Sequence, residues 1–260
     1  MTATHPSSRE PSRSTTTAAR AASRREPRVA DRPELLLAID TSAGTSVSVV
    51  REGSGILSQA DGHDTMKHAE VIGRLIERAL TEAGVRVDEL TGVVAGMGPG
   101  PFTGLRVGIA AARVFALGRG VPLYPVVSHD AIALAEATAG AGGELLVVTD
   151  ARRREVYWSL YELAGAAAAG DGVGEAADAS GAGAGAGASA VRLDGPGLAK
   201  PDALPHPGAR TTEAARVSAG QLGLVALALL ASGGDFAADR AIYLRSPDVT
   251  VSTGVKRVTQ

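Results

Sequence analysis

VAGMGPGPFTGLRVGIAAARVFALG, residues 94–118, runs from a short apolar strand through a loop bearing Gly96, Gly98, Pro99, Gly100 and Pro101 into a helical pattern that starts at Thr103 or Gly104. Strand, glycine loop, helix is the geometry by which backbone amides can be presented to an anion. The GxxxxGK[ST] lysine is missing, however, so the loop is not a Walker loop. Along the helix, Leu105, Ile109, Ala112 and Ala116 form one apolar stripe and Val107, Ala111, Val114 and Leu117 another, with Arg106 and Arg113 as the polar marks. Such a helix must be covered on two sides. Gly104, Gly108 and Ala110 to Ala112 keep it thin enough for close approach, and the pattern admits both a wholly internal helix and one that meets a partner.

Upstream, Leu35 to Ile39 is a continuous apolar run suited to a strand buried on both faces; it ends in Asp40, Thr41 and Ser42. Ser46–Val50 and Ile56–Gln59 continue as a meander. Residues 66–83 switch to helical period, with Ala69, Ile72, Ile76, Ala79 and Ala83 on one stripe, Glu70 and Arg74 as an i,i+4 pair, and Gly84 as the stop. That stripe reads as core, alone or combined with a partner contact that Gly73 would let approach. Downstream, residues 121–127 read as a strand, Ser128 as a plausible N-cap, and 131–139 as a helix. Glu144–Thr149 then repeats the first strand and again ends in Asp, at Asp150; Glu155–Tyr161 repeats the second. Two copies of strand, Asp, turn, strand point to an internal duplication. Val191–Leu193 reads as a strand, residues 213–231 contain a long helical pattern, and 241–245 a last extended piece.

Composition sets the outer limits. The 260 residues are 45% hydrophobic and 21% charged, as in a globular protein of one or two domains. With no cysteine, any metal would need His, Asp or Glu. Residues 1–33 carry seven Arg against Glu10, Glu26 and Asp31, or +4, so the net charge of -2 leaves residues 34–260 at -6. An acidic body is a poor ligand for RNA by itself. The first 33 residues have no apolar run and read as a disordered tail, either a plain extension or a transit-like segment. Residues 164–190 are almost wholly Ala and Gly and read as a floppy insertion, and 246–260 as a mobile tail. The apolar run Leu222–Ala231 is about half the ~20 residues of a membrane span. The expected organisation is a tail (1–33), an N-terminal lobe (34–140), a C-terminal lobe with the insertion (141–245) and a C-terminal tail (246–260), in the cytoplasm.

LLLAIDTSAGTSVSV, HAEVI, GMGPGPFTGLRVGIAAARVFALG, DARRREVYW and YLRSPDV together resemble the bacterial TsaB family, formerly YeaZ. The resemblance is close over residues 34–163 and returns near 240–248. It implies an α/β, actin-like and sugar-kinase-like ATPase fold of two similar lobes, each a five-stranded mixed sheet with helices. It also implies an adaptor role in tRNA threonylcarbamoyladenosine (t6A) synthesis, paired with the paralogous transferase TsaD and the ATPase TsaE, a homodimer when alone, and tRNA contacted only indirectly. Partner contacts are expected at Ala69, Ile72, Gly73, Ile76, Leu105, Arg106, Gly108, Ile109, Ala112 and Arg113. Asp40, Thr41, Ser42, Gly98, Gly100, Thr103 and Gly104 form a candidate nucleotide or interface loop, with ATP or ADP at the interface of the complex and no cofactor in the isolated chain. No catalytic residue and no metal ligand is assigned. The catalytic paralogue carries His-x-x-x-His after the equivalent of residues 121–128; here His129 is followed four residues on by Ala133, and a lone His at a helix start reads as a surface residue. The bulky turn Arg152 to Arg154 disfavours an ATP-using small-molecule kinase; as a turn it reads as solvated or as pairing with a partner's acids. No HExxH supports a metallopeptidase.

Overall fold

A computed structural model describes residues 32–62, 68–165 and 187–245. The N-terminal tail up to residue 31, the centre of the Ala/Gly-rich insertion, His63 and the residues after 245 lie outside these.

The run LLLAID forms β1 (Leu35–Asp40), and its alternation sorts the core in two. Leu35, Leu37 and Ile39 enter one apolar cluster while Leu36 and Ala38 enter another. A strand apolar at every position is what a sheet covered on both faces requires. β2 (Thr45–Arg51) and β3 (Gly55–Gly62) follow as an antiparallel meander; β4 (Gly92–Gly96) and β5 (Leu123–Val126) add in parallel, giving the order β3-β2-β1-β4-β5. On one face lie α1 (His68–Ala83) and α2 (Phe102–Arg119). α1 ends as expected at Gly84, whose φ of 63° suits glycine. Its exposed i,i+4 pair is Arg78 with Glu82, at 2.7 Å.

α3 (Ser128–Thr138) leads to the second sheet: β6 (Gly143–Arg152), β7 (Glu155–Ala164), β8 (Ser189–Ala199) and β9 (Arg210–Glu213), ordered β8-β7-β6-β9. Here β6 pairs antiparallel with β7 and parallel with β9, as β1 pairs with β2 and β4. The duplication read from the repeated Asp turns is therefore present in the pairing. Among the described residues the second sheet has four strands where five were implied, and between β8 and β9 lies a 3-10 turn, Pro201–Ala203, where the first sheet has α1.

α4 (Ala219–Ser232) starts later than the pattern from residue 213 implied, because Ser218 caps it by accepting from Gln221 N–H at 3.2 Å. It packs on β1, β2 and β3. With α3 it fills the space between the sheets, in a cluster joining Leu36, Val50 and Val94 to Leu145, Val147 and Tyr161. The described residues from Pro33 onward group as one unit. The last described residues, including 241–245, which read as an extended piece, pair into no strand. They run as a strap: Ala237 N–H donates to Pro125 O at 3.0 Å, Ile242 N–H to Met97 O at 2.8 Å, and Arg245 bonds Ala151 O at 2.9 Å and Glu155 at 2.8 Å.

Candidate functional site

At the end of β1, Asp40 is 2% exposed and fully engaged. Its Oδ1 accepts from Ser42 N–H at 2.8 Å and Ser42 Oγ–H at 2.6 Å; its Oδ2 accepts from Ser128 Oγ–H at 2.5 Å. Ser128 in turn accepts from Gly98 N–H at 3.0 Å. Burial pushes the Asp40 carboxyl above the usual range, and the Ser128 and Ser42 hydrogen bonds oppose that. Ser128 is thus not the N-cap read from the sequence: Val127 holds that position, and the Ser128 hydroxyl is spent on Asp40.

The glycines of the 94–118 stretch serve the same contact. A Cβ on Gly96 would fall 1.9 Å from Asp40 Oδ2, one on Gly100 2.8 Å from Ser42 Cα, and one on Gly108 2.2 Å from Thr41 Oγ1. Thr41 Oγ1–H donates to Gly104 O at 2.7 Å, tying the turn to the first turn of α2. The loop is glycine-rich because the β1–β2 turn lies directly on it.

A cleft of about 350 Å³ opens beside this turn, with Thr41, Ser42 and Thr103 on one wall and Asp150 and Arg152 on the other. His68 lines it too, its Nδ1 2.7 Å from Thr45 Oγ1. Asp150 Oδ1 accepts from Arg152 N–H at 2.8 Å, the same residue-to-second-neighbour bond that Asp40 makes with Ser42. Asp150 is exposed, however, and Arg152, Arg153 and Arg154 all take left-handed φ, between 54° and 62°. These donors do not fit a metal–nucleotide complex. Both oxygens of Asp40 are taken, the Gly98 amide is taken, and the opposite turn offers guanidinium groups in place of small residues. Among the described residues no group of three His, Asp or Glu could hold a metal.

His129 corrects the surface reading. It is 0% exposed, with Nδ1 2.8 Å from Ser159 Oγ on β7 and Nε2 2.9 Å from Thr149 Oγ1 on β6. Burial, and secondarily the Arg192 charge, lower its pKa to about 3, so it is neutral. Ala133, one turn on, is buried as well. Nothing in the sequence placed Thr149 and Ser159 against it.

The helix faces divide the expected partner set into buried and outward residues. Ile72 is buried where α1 packs on β2 and β3, and Leu105, Gly108, Ile109 and Ala112 are buried where α2 packs on β1 and β4. Outward lie Ala69 and Gly73 on α1, with Ile76 half-buried, and on α2 the row Phe102, Thr103, Arg106, Ala110, Val114 and Leu117. Val114 is 70% and Leu117 83% exposed. Arg106 stacks 4.4 Å over the Phe102 ring, which also meets Tyr243 of the strap at 4.9 Å. Arg113 is held within the chain by Asp239 Oδ1 at 2.7 Å. Val114 and Leu117 belong to the second apolar stripe read from the sequence, whereas Phe102, ahead of the expected helix start, was not singled out. A shallow groove runs between Gly73 and Ile76 of α1 and Phe115 of α2.

Residues 60–252 match the family profile TsaD, tRNA N6-adenosine threonylcarbamoyltransferase. An uncharacterized protein of Mycobacterium tuberculosis is 44% identical over 128 residues, covering 48% of this chain and 58% of the relative. The Escherichia coli tRNA threonylcarbamoyladenosine biosynthesis protein TsaB is 32% identical over 127 residues, covering 49% and 54%. The chain thus spans about half the length of the curated relatives it matches. In fold it is similar to YeaZ from Pseudomonas aeruginosa, with TM-score 0.59 and 20% identity over 81% of this chain and 100% of that one. The chain belongs to the family of this TsaD model, and its two mixed sheets with helices form a fold similar to that of YeaZ.

Proposed function

We propose that this chain is a non-catalytic adaptor that binds the transferase paralogue TsaD and activates it for threonylcarbamoylation of adenosine 37 in ANN-decoding tRNAs. The observation that carries the proposal is α3: where the catalytic paralogue needs two imidazoles at i and i+4, this chain has a buried, doubly hydrogen-bonded His129 and Ala133. The bare apolar row of Ala110, Val114 and Leu117, flanked by Arg106 and the α1–α2 groove, supplies the docking face. Without its partner the same face pairs with a second copy. The ATPase TsaE joins the assembly, ATP or ADP enters only at the composite interface, and tRNA is met through the partner because the body is acidic. Activation works by favouring one arrangement of the partner's site. The complex operates in the cytoplasm; no described helix is long and apolar enough to cross a membrane. A kinase reading is opposed by the engaged Asp40 and the arginine turn.

The test is t6A formation on tRNA by the purified transferase paralogue with and without this chain. Equal activity in both arms sinks the adaptor reading. A Val114→Asp/Leu117→Asp variant should melt as the parent does yet bind the paralogue at least ~100-fold more weakly, since each central apolar contact is worth about 2 kcal/mol or more. Charge at Ile72 or Ile109 should unfold the chain instead.

A further inference from the structure

A second cavity, of about 480 Å³, lies between α3, α4, β8 and the start of the strap. Its volume falls in the range of small-molecule sites. Leu134, Val225, Leu229 and Phe236 give it apolar walls, and Asp130 and Arg192 stand side by side in it. Their pairing is incomplete. Asp130 Oδ1 accepts from Tyr161 O–H at 2.7 Å, and the Arg192 Nε lies 3.9 Å from that same oxygen, too far for a hydrogen bond. Asp130 Oδ2 and the Arg192 guanidinium have no hydrogen-bond partner among the described residues. The two side chains are only 23% and 31% exposed. Burial pushes the Asp130 carboxyl up, and Arg192 and then Tyr161 hold it down.

A carboxylate and a guanidinium that are adjacent, partly desolvated and each left with free hydrogen-bonding capacity match a ligand carrying an ammonium and a carboxylate on one carbon. We infer that this cavity binds a free α-amino acid with an apolar side chain: its ammonium donates to Asp130 Oδ2, its carboxylate accepts from Arg192, and its side chain lies among Leu134, Val225, Leu229 and Phe236. Tyr161 is a positioning residue, holding the other oxygen of Asp130. The site is separate from the α1–α2 face and stands whether or not that face docks a transferase.

Isothermal titration of the full chain with L-leucine and L-phenylalanine tests this, with isoamylamine and 4-methylpentanoate as the leucine analogues lacking one charge each. Saturable binding of at least one amino acid is expected, with both probes weaker by at least ~tenfold, or about 1.4 kcal/mol. Asp130→Asn and Arg192→Gln should each weaken the amino acid by at least ~tenfold, consistent with the loss of one charge-assisted hydrogen bond. Ala228→Trp fills the cavity from an exposed position of α4 and should abolish binding with the melting curve unchanged, which keeps the test decisive if either charge variant misfolds. No saturable heat with either amino acid, isoamylamine binding as tightly as leucine, or full binding by Ala228→Trp would each overturn the assignment.

Discussion

The two sheets share one pairing scheme and differ in what covers them. The first has α1 and α2 on its outer face and α3 and α4 on its inner face, and its three central strands have no exposed apolar residue. The second shares the inner helices, but its outer face carries a small cluster of Leu146, Val148, Val156 and Leu160 under Trp158, Leu204 and Ala209. The same difference reaches the turns: Asp40 is buried with three donors, Asp150 is exposed with one. One copy of the duplicated unit kept the packing that locks its turn in place. The other kept the strand order and let the turn become a surface of arginines.

If this contrast is physical, perturbing the two halves should give very unequal costs. Gly96→Ala should cost the most, about 3 kcal/mol, because its methyl would fall 1.9 Å from Asp40 Oδ2, a buried oxygen held in place by Ser128. Urea unfolding measures it, and a parent-like midpoint would break the close-packing account of the glycine loop. Asp40→Ala should cost about 2–3 kcal/mol by leaving the Ser42 and Ser128 donors buried without an acceptor. Acid should act next, through the contact of α3 with the second sheet. A His with a folded pKa of about 3 and an unfolded value near 6.5 contributes stability that is whole above about pH 6.5 and lost as pH falls towards 3. The slope is about 1.4 kcal/mol per pH unit. The raised carboxyls of Asp40 and Asp130 act in the opposite sense, gaining stability as pH falls, so the measured slope is shallower. Between pH 7 and 5 the urea midpoint of the parent should respond to acid less favourably than that of His129→Gln, in which only the opposing carboxyls remain; parallel slopes would remove His129 from the account. Smallest of all, Asp150→Ala should change stability by no more than about 0.5 kcal/mol, an exposed turn having little to lose.

β1, β2, α1 and α2 could be read from the sequence because their burial is dictated locally: a two-faced strand shows as an unbroken run, and a helix on a sheet as a 3.6 stripe. β9, RTTE, has three of its four residues exposed and no apolar alternation, so its pattern carries no signal; its place is set by pairing with β6. Only the Val191–Leu193 segment of β8 could be seen, since Asp194 to Gly197 reads as a turn yet continues the strand alongside Trp158. At the site, the duplicated Asp was legible while its engagement was not, because Ser128 lies 88 residues away. The buried state of His129 was hidden for the same reason. Periodicity found α1 and α2, which carry the proposed docking face, but could not tell which of the two apolar stripes on α2 turned inward.

α4 comes after the strands of the second sheet in the chain and lies on the strands of the first, with Gly220 and Gly223 so close to Ile56 and Val50 that a methyl on either would collide. A polypeptide cut near residue 140 would therefore hold every strand of its sheet and lack the lid for one side of it. The two pieces, made separately, should each be sticky and poorly formed, and should recover the native state only when mixed. The exchange of one helix makes the duplicated halves a single cooperative object that neither copy could have been before the duplication.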